Sequence, residues 1–312
     1  MTARVRSVLA IALALQLLLA GALWAFRLAD DAIPDPFLTF DASSVDAIVV
    51  SDGENTITVS RIDDVWRLDG GLPADGDKME SMLEKLSDAN GGWPVASSTS
   101  TARRFEVTED KFQRRITVNA GDVEIADVFL GTSPGYRKVH ARHRGADDVY
   151  SIEFSNFEAG IDLSWWLKKS LLQPSGELAA LQRPGRWRLD AGEEGWSVAQ
   201  GPGVDPLGGQ LGELGQQLDQ QKVETFVRRF TGLNVLGVLD TALPGEPSFS
   251  FLLTDDDGVQ ALKFFHLDEQ DSYAATSDRV AGVFEVAAYI AEQMDGDLAD
   301  LAPDSEPDEA EL

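Results

Sequence analysis

Two stretches of the chain match each other at a constant offset of 130 residues, and this repeat constrains the fold most. Each stretch has two short alternating runs around a tight turn, followed by a segment with helical periodicity. The aligned pairs are Ile57 and Trp187, Val59 and Leu189, Trp66 and Trp196, Leu68 and Val198, and Asp75 and Asp205. The pattern predicts an α+β protein with two tandem repeats, at residues 40–172 and 178–295, each an antiparallel sheet with a covering helix.

The last aligned pair marks the expected start of each helix. A short carboxylate accepts hydrogen bonds from the free N–H groups of a first helical turn, so Asp75 and Asp205 are predicted N-caps. Trp66 and Trp196, on the strands before these helices, are expected to occupy equivalent buried places. The residues that would form the apolar helix faces are Met79, Met82, Leu83 and Leu86, and then Leu207, Leu211, Leu214 and Leu218.

Two further hairpins complete the predicted repeats. Strands near 113–119 and 123–130 flank Gly121, and strands near 248–254 and 259–265 flank the turn formed by Asp257 and Gly258. An aspartate followed by glycine between alternating runs is a strong hairpin signal.

The N-terminal apolar run predicts a membrane helix. Nineteen residues from Val8 to Phe26 carry no formal charge, and Arg4 and Arg6 precede them. This length suits a transmembrane anchor at residues 7–27, with residues 1–6 in the cytoplasm and the bulk of the chain extracytoplasmic. We therefore expect a single-pass protein of the cytoplasmic membrane. A cleaved signal peptide is the alternative, because Ala20-Gly21-Ala22 fits a cleavage site.

Charge and cysteine content exclude several classes of function. The chain has 53 acidic and 26 basic residues and a net charge of −27, so binding to nucleic acid or to another polyanion is disfavoured. It has no cysteine, which excludes thiol catalysis, disulfides and cysteine-based zinc sites. The acidic residues 296–312 are predicted to form a disordered tail.

The stretch GTSPG at residues 131–135 matches the G-x-S-x-G pattern of serine hydrolases. A nucleophile elbow requires a strand, a sharp turn and then a helix, whereas the residues after this motif alternate as a strand. Pro134 also removes the backbone N–H that would follow the nucleophile in an oxyanion site. We interpret the motif as a turn between strands, and an envelope hydrolase using Ser133 remains the alternative.

The densest positive segment of this acidic chain follows that turn. It predicts a solvated hairpin that pairs with the protein's own carboxylates, and the alternative is a docking surface for an acidic partner. A binding module for a cationic ligand, using acidic clusters, is a third possibility. No catalytic residue, cofactor or metal site is predicted. The residues of the predicted docking patch are Arg137, Lys138, His140, Arg142 and Arg144.

The order of these features resembles a known family. A strand with Trp66, a helix introduced by Pro73-Ala74-Asp75, the hairpin YRKVHARHRGADDVYSI and the segment WWLKKSLL are similar to the bacterial domain-of-unknown-function 4340 family. Members of that family are often encoded beside components of gliding-motility-type ABC transporters. The resemblance therefore implies a non-enzymatic, extracytoplasmic accessory protein that binds partners such as ABC transporter components.

Overall fold

The computed structural model describes residues 12–22, 36–199, 218–267 and 272–303. Antiparallel strands dominate these ranges, and helices are few and short. The strands are β1 (Ala47–Ser51), β2 (Thr56–Ile62), β3 (Val65–Leu68), β4 (Val107–Thr108), β5 (Lys111–Phe112), β6 (Arg114–Ala120), β7 (Val123–Leu130), β8 (Val139–His143), β9 (Val149–Ile152), β10 (Ala180–Arg183), β11 (Trp187–Gly192), β12 (Gly195–Val198), β13 (Gly237–Val238), β14 (Phe249–Asp255), β15 (Gly258–Leu267), β16 (Ser272–Ser277) and β17 (Phe284–Val286).

The helices within the same ranges complete the element order. The α-helices are α1 (residues 12–22), α2 (Gly76–Ser87), α3 (Thr99–Arg104), α4 (Leu163–Trp166), α5 (Gln220–Thr231) and α6 (Ala288–Met294). Three 3₁₀ helices span Ala42–Ser44, Asn156–Glu158 and Leu298–Leu301. The last of these holds Leu298 and Leu301 in buried positions, so the ordered chain continues past residue 295.

The predicted fold class is wrong. The described chain is mostly β-sheet rather than α+β, because the alternating segments form three sheets and only short helices accompany them. The predicted transmembrane helix at 7–27 is also not found. Of that segment, residues 12–22 are described as α1, and no helix in the described ranges is long and apolar enough to cross a membrane.

The two large sheets share one order of strands. The first is β3-β2-β1-β6-β7-β8-β9, and the second is β12-β11-β10-β14-β15-β16-β17 with β13 added at its end. Strand register agrees with the offset seen in the sequence, since Val59 pairs with Leu68 and Leu189 pairs with Val198. For each sheet, one helix (α2 or α5) follows the first three strands along the chain and precedes the long hairpin of the same sheet.

Those two helices begin at aspartate N-caps, but only one at the predicted residue. The Asp75 carboxylate accepts a hydrogen bond from Lys78 N at 3.1 Å, so the N-cap of α2 is confirmed. In α5 the N-cap is Asp219, which accepts from Gln221 N and Lys222 N. Asp205 and the leucines at 207, 211 and 214 lie outside the described residues. The four apolar residues predicted for α2 are all buried, which confirms its inward face: Met79, Met82, Leu83 and Leu86.

Trp66 and Trp196 do not occupy equivalent environments. Trp66 is buried, as predicted, whereas Trp196 is only half-buried. The core tryptophan of the second sheet is Trp187, with 1% of its surface exposed, and its ring packs against Phe226 and Phe251. The prediction for Trp196 is therefore wrong. Both tryptophans lie on the outermost strands of their sheets, and Trp66 is covered there by the Arg61 guanidinium, 4.6 Å from its ring centroid.

Contacts between α-carbons divide the chain into two compact units. The first comprises Ser51–Glu54, Met82–Ala159 and the described residues up to Val45. The second comprises Asp46–Val50, Asn55–Ser81 and the described residues from Gly160 onward. An apolar cluster in the first unit contains Ala102, Val107, Phe129 and Val149, with Phe105 and Phe112 packed against it.

The free edge of β12 is closed by a side chain. The Gln220 amide accepts a hydrogen bond from Trp196 N and donates one to Trp196 O, both at 2.8 Å. At the corresponding strand of the first sheet, backbone performs this role, since Ala74 N donates to Trp66 O. Exposed sheet edges are sites of unwanted strand pairing, and these hydrogen bonds protect the outer edges of β12 and β3 at the two tryptophans.

Candidate interaction surface

The loop between β7 and β8 has a rigid base. Gly131 N donates to His140 O and His140 N donates to Thr132 O, both at 2.9 Å, while Thr132 N donates to Phe105 O at 2.8 Å. Only glycine fits at position 131, because a β-carbon there would lie 1.9 Å from Phe105 O. The glycine that opens GTSPG therefore permits a close backbone crossing.

The Ser133 hydroxyl closes the loop rather than facing a residue that could act as a catalytic base. Its hydroxyl lies 2.7 Å from both Gly135 O and Lys138 O, and Lys138 N donates to Gly135 O. The motif joins two strands, and no hydrogen bond connects Ser133 to His140 in the described structure. This geometry is that of a turn with a side-chain clasp.

His140 supports the loop from beneath. It is 8% exposed, and its ring stacks on Phe105 with centroids 3.8 Å apart and an angle of 3°. Its Nδ1 lies 2.8 Å from Thr132 O. Burial lowers the pKa of His140, and the nearby Arg104 acts in the same direction. We infer a neutral imidazole with its proton on Nδ1, because a carbonyl oxygen can only accept.

Two other basic residues of the predicted docking patch also bind groups within the protein. Arg142 is buried and donates to Val107 O at 2.5 Å and Ala146 O at 2.6 Å. Arg144 lies 3.2 Å from the buried carboxylate of Asp127, which Arg115 also binds through two nitrogens. Both residues hold the hairpin in place, and Arg144 is at the same time exposed.

The remaining members of the patch lie at the exposed end of the loop, which we call the loop tip (Tyr136, Arg137 and Lys138). Tyr136 is 86% exposed, and the guanidinium of Arg137 lies 5.3 Å from the centroid of its ring. Both cations are exposed, and neither has an ion pair with any described residue. The structure thus retains part of the predicted surface and adds the tyrosine.

Arg104 was missed by the sequence analysis. It ends α3, is exposed, and its guanidinium lies 5.1 Å from the ring centroid of Phe105, the residue that stacks on His140. It has no carboxylate partner in the described ranges. The only sequence signal for Arg104 was its basic character. Its neighbour Phe105 contacts Gly131, which lies 26 positions later in the chain, so the proximity of Arg104 to the loop arises only in the tertiary structure.

Comparison with known proteins adds a family. The model of the family described as "Domain of unknown function (DUF4340)" matches residues 66–250, more than half of the chain. The protein belongs to the DUF4340 family. The match extends from β3 to the beginning of β14 and includes the β7–β8 loop. No curated protein and no solved structure matches the chain.

The second compact unit of this DUF4340 protein contains a cavity of about 630 Å³ with lining of both charges. Lys169 lies in this cavity, donates to Leu236 O, and has its pKa lowered mainly by burial. Asp75, another lining residue, is already engaged as the N-cap of α2. Its other charged lining residues are Asp64, Asp77, Glu80 and Lys168. Within the described chain, no group of three His, Asp or Glu residues is arranged to hold a metal ion.

Proposed function

We propose that this DUF4340 protein is a non-enzymatic docking protein that binds a partner through the loop tip. We further propose that it acts outside the cytoplasm as an accessory of an ABC-type transport complex, as the family resemblance implies. The observation that carries the docking role is an exposed Tyr136-Arg137-Lys138 segment on a rigid base.

The composition and rigidity of the loop tip favour binding. Tyrosine and arginine are over-represented among the residues that dominate binding energy at interfaces. The base is fixed by the Gly131 crossing and the Ser133 clasp, so little backbone entropy is lost when the tip is covered. A flexible loop of the same composition would bind less tightly.

Charge supports an acidic partner. Arg137, Lys138 and Arg104 have no ion pair with any described residue, in a chain with a net charge of −27. Exposed charges beyond about 8 Å are largely screened at physiological ionic strength, so a partner at the tip experiences these local cations more than the distant carboxylates. Charge complementarity at such a site contributes mainly to association rate and partner choice.

Site-specific photocrosslinking in the native membrane environment tests the docking role. A photoreactive phenylalanine analogue replaces Tyr136 in one protein and Tyr289 in the other, because Tyr289 on α6 is also exposed, at 64%. We expect a discrete crosslinked partner from position 136 and none from position 289. Absence of a crosslink at 136, or the same product from both positions, would contradict the proposal.

A charge reversal then tests whether the tip supplies affinity. Arg137→Glu should weaken binding of the crosslinked partner at least about tenfold, because it replaces an attraction with a repulsion. Lys263→Glu is the matched control, since Lys263 is exposed on β15 and the substitution changes net charge equally. Equal effects of the two substitutions would show that net charge, not the tip, controls binding. Identification of the partner by mass spectrometry tests the link to a transport complex.

A further inference from the structure

Arg142 is a buried cation with no carboxylate partner in the part of the chain that the structure describes. Only 9% of the residue is exposed, and its guanidinium lies 5.2 Å from the ring centroid of Phe129. Nε donates to Val107 O, and Nη1 donates to Ala146 O with a longer contact to His143 O at 3.5 Å. Nη2 has no hydrogen-bond partner among the described residues.

Two partly covered guanidinium groups of this chain, in contrast to Arg142, are paired with carboxylates. Arg115 binds the carboxylate of Asp127, and Arg279 binds Asp255 through two nitrogens. A cation removed from water is costly unless an anion and hydrogen bonds compensate it. Carbonyl dipoles satisfy two of the three nitrogens of Arg142 and leave its charge without a counter-ion.

A cavity lies beside this unpaired cation. It has a volume of about 200 Å³, lies within the first compact unit, and is lined by Arg142 together with Thr99, Ala102, Arg103 and Thr108. Arg142 lines this cavity, and the Phe129 ring and two carbonyl oxygens hold its guanidinium in place. The cavity therefore offers a charged planar donor beside hydroxyl-bearing side chains.

The charge around the cavity selects the class of anion. Arg103 is already paired with Asp110 at 2.5 Å, and Glu109 and Asp147 are exposed lining residues. These carboxylates disfavour an anion of two or three charges, such as phosphate or sulfate. A carboxylate carries a single charge and has two oxygens in the geometry of a guanidinium edge.

We propose that this cavity is a binding site for a small monocarboxylate, with Arg142 as the residue that pairs with the carboxylate group. This site is separate from the docking function of the loop tip. Acetate is the probe that represents the ligand class.

Calorimetric titration of the full chain with acetate tests the site, with chloride used to keep ionic strength constant. We expect saturable binding of acetate and a rise in melting temperature that phosphate does not reproduce. Arg142→Gln should raise the dissociation constant at least about tenfold, because a charge-assisted hydrogen bond is lost. Arg114→Gln is the matched control, since Arg114 also donates to two backbone carbonyls but does not line the cavity.

Two rim variants keep the test decisive if Arg142→Gln does not fold. Thr99→Leu, at an exposed rim position, should narrow the cavity and weaken acetate binding without altering Arg142. Asp147→Asn should strengthen it several-fold by removing a negative charge from the rim. Acetate binding that is absent in the native protein, or unchanged in both rim variants, would overturn the proposal.

Discussion

Asp255 provides a quantitative test of the electrostatics of the second compact unit. Its side chain is fully buried and accepts hydrogen bonds from Arg279 at 2.6 and 2.7 Å, from Ser175 N at 2.7 Å and from Asp257 N at 3.0 Å. The Arg279 guanidinium, aided by the two backbone N–H groups, lowers the pKa of Asp255 from 3.8 to about 2. The folded protein therefore binds this proton more weakly than the unfolded chain does.

The sign and size of the effect follow from this difference. A carboxylate with a depressed folded-state pKa stabilises the protein above its unfolded pKa, and the stabilisation is lost as pH falls through the folded pKa. Each pKa unit corresponds to about 1.4 kcal/mol, so the ionised Asp255 contributes about 2 kcal/mol at pH 7. About half of that should remain near pH 3, and little should remain below about pH 2.

Urea unfolding of Asp255→Asn measures this contribution. Five of the seven tryptophans lie in the second compact unit, so tryptophan fluorescence mainly follows that unit. The stability gap between native protein and variant should be at least about 2 kcal/mol at pH 7 and narrow steadily between about pH 5 and pH 2. Glu246→Gln, at an exposed loop position, should show no such narrowing. A gap that is independent of pH would refute the argument.

Two further substitution pairs test packing by the same unfolding measurement. Gly131→Ala should cost at least about 2 kcal/mol because its β-carbon would collide with backbone, whereas Gly135→Ala, with nothing within 4 Å, should stay within about 0.5 kcal/mol. Equal costs would contradict the close crossing at the loop base. Trp187→Ala should cost about 3–5 kcal/mol as a buried aromatic, and half-buried Trp196→Ala clearly less. The reverse ranking would place the core of the second sheet elsewhere.

Local patterns predicted the strands and α2 because they depend on residues close in sequence. The spacing from Met79 to Leu86 defines a single helical face, and that face is buried. The start of α5 was missed because the second stretch was extended at a fixed offset past β12. Asp219, followed by Val223, Phe226, Val227 and Phe230, carries the same cap and spacing as α2, so the correct signal was present.

The predicted patch could be resolved only by tertiary contacts. Alternation along β8 does not reveal that His140 stacks on Phe105 or that Arg142 reaches Val107 O, 35 residues earlier in the chain. Five basic residues in one segment therefore look equivalent in sequence but have different roles in the fold. Tyr136 escaped notice because exposure, not residue type, makes it a candidate contact.

At the outer edge of β12, the second sheet is blocked by a single side chain, that of Gln220. A strand from another copy of the chain that paired with β12 at Trp196 would need the same N–H and C=O that the Gln220 amide occupies. In the first sheet the blocking donor is the backbone N–H of Ala74, which among single substitutions only proline removes directly. Resistance to edge-to-edge polymerisation is thus asymmetric between the two sheets: many substitutions at Gln220 would expose the β12 edge at Trp196, whereas few changes at Ala74 would expose the edge of β3.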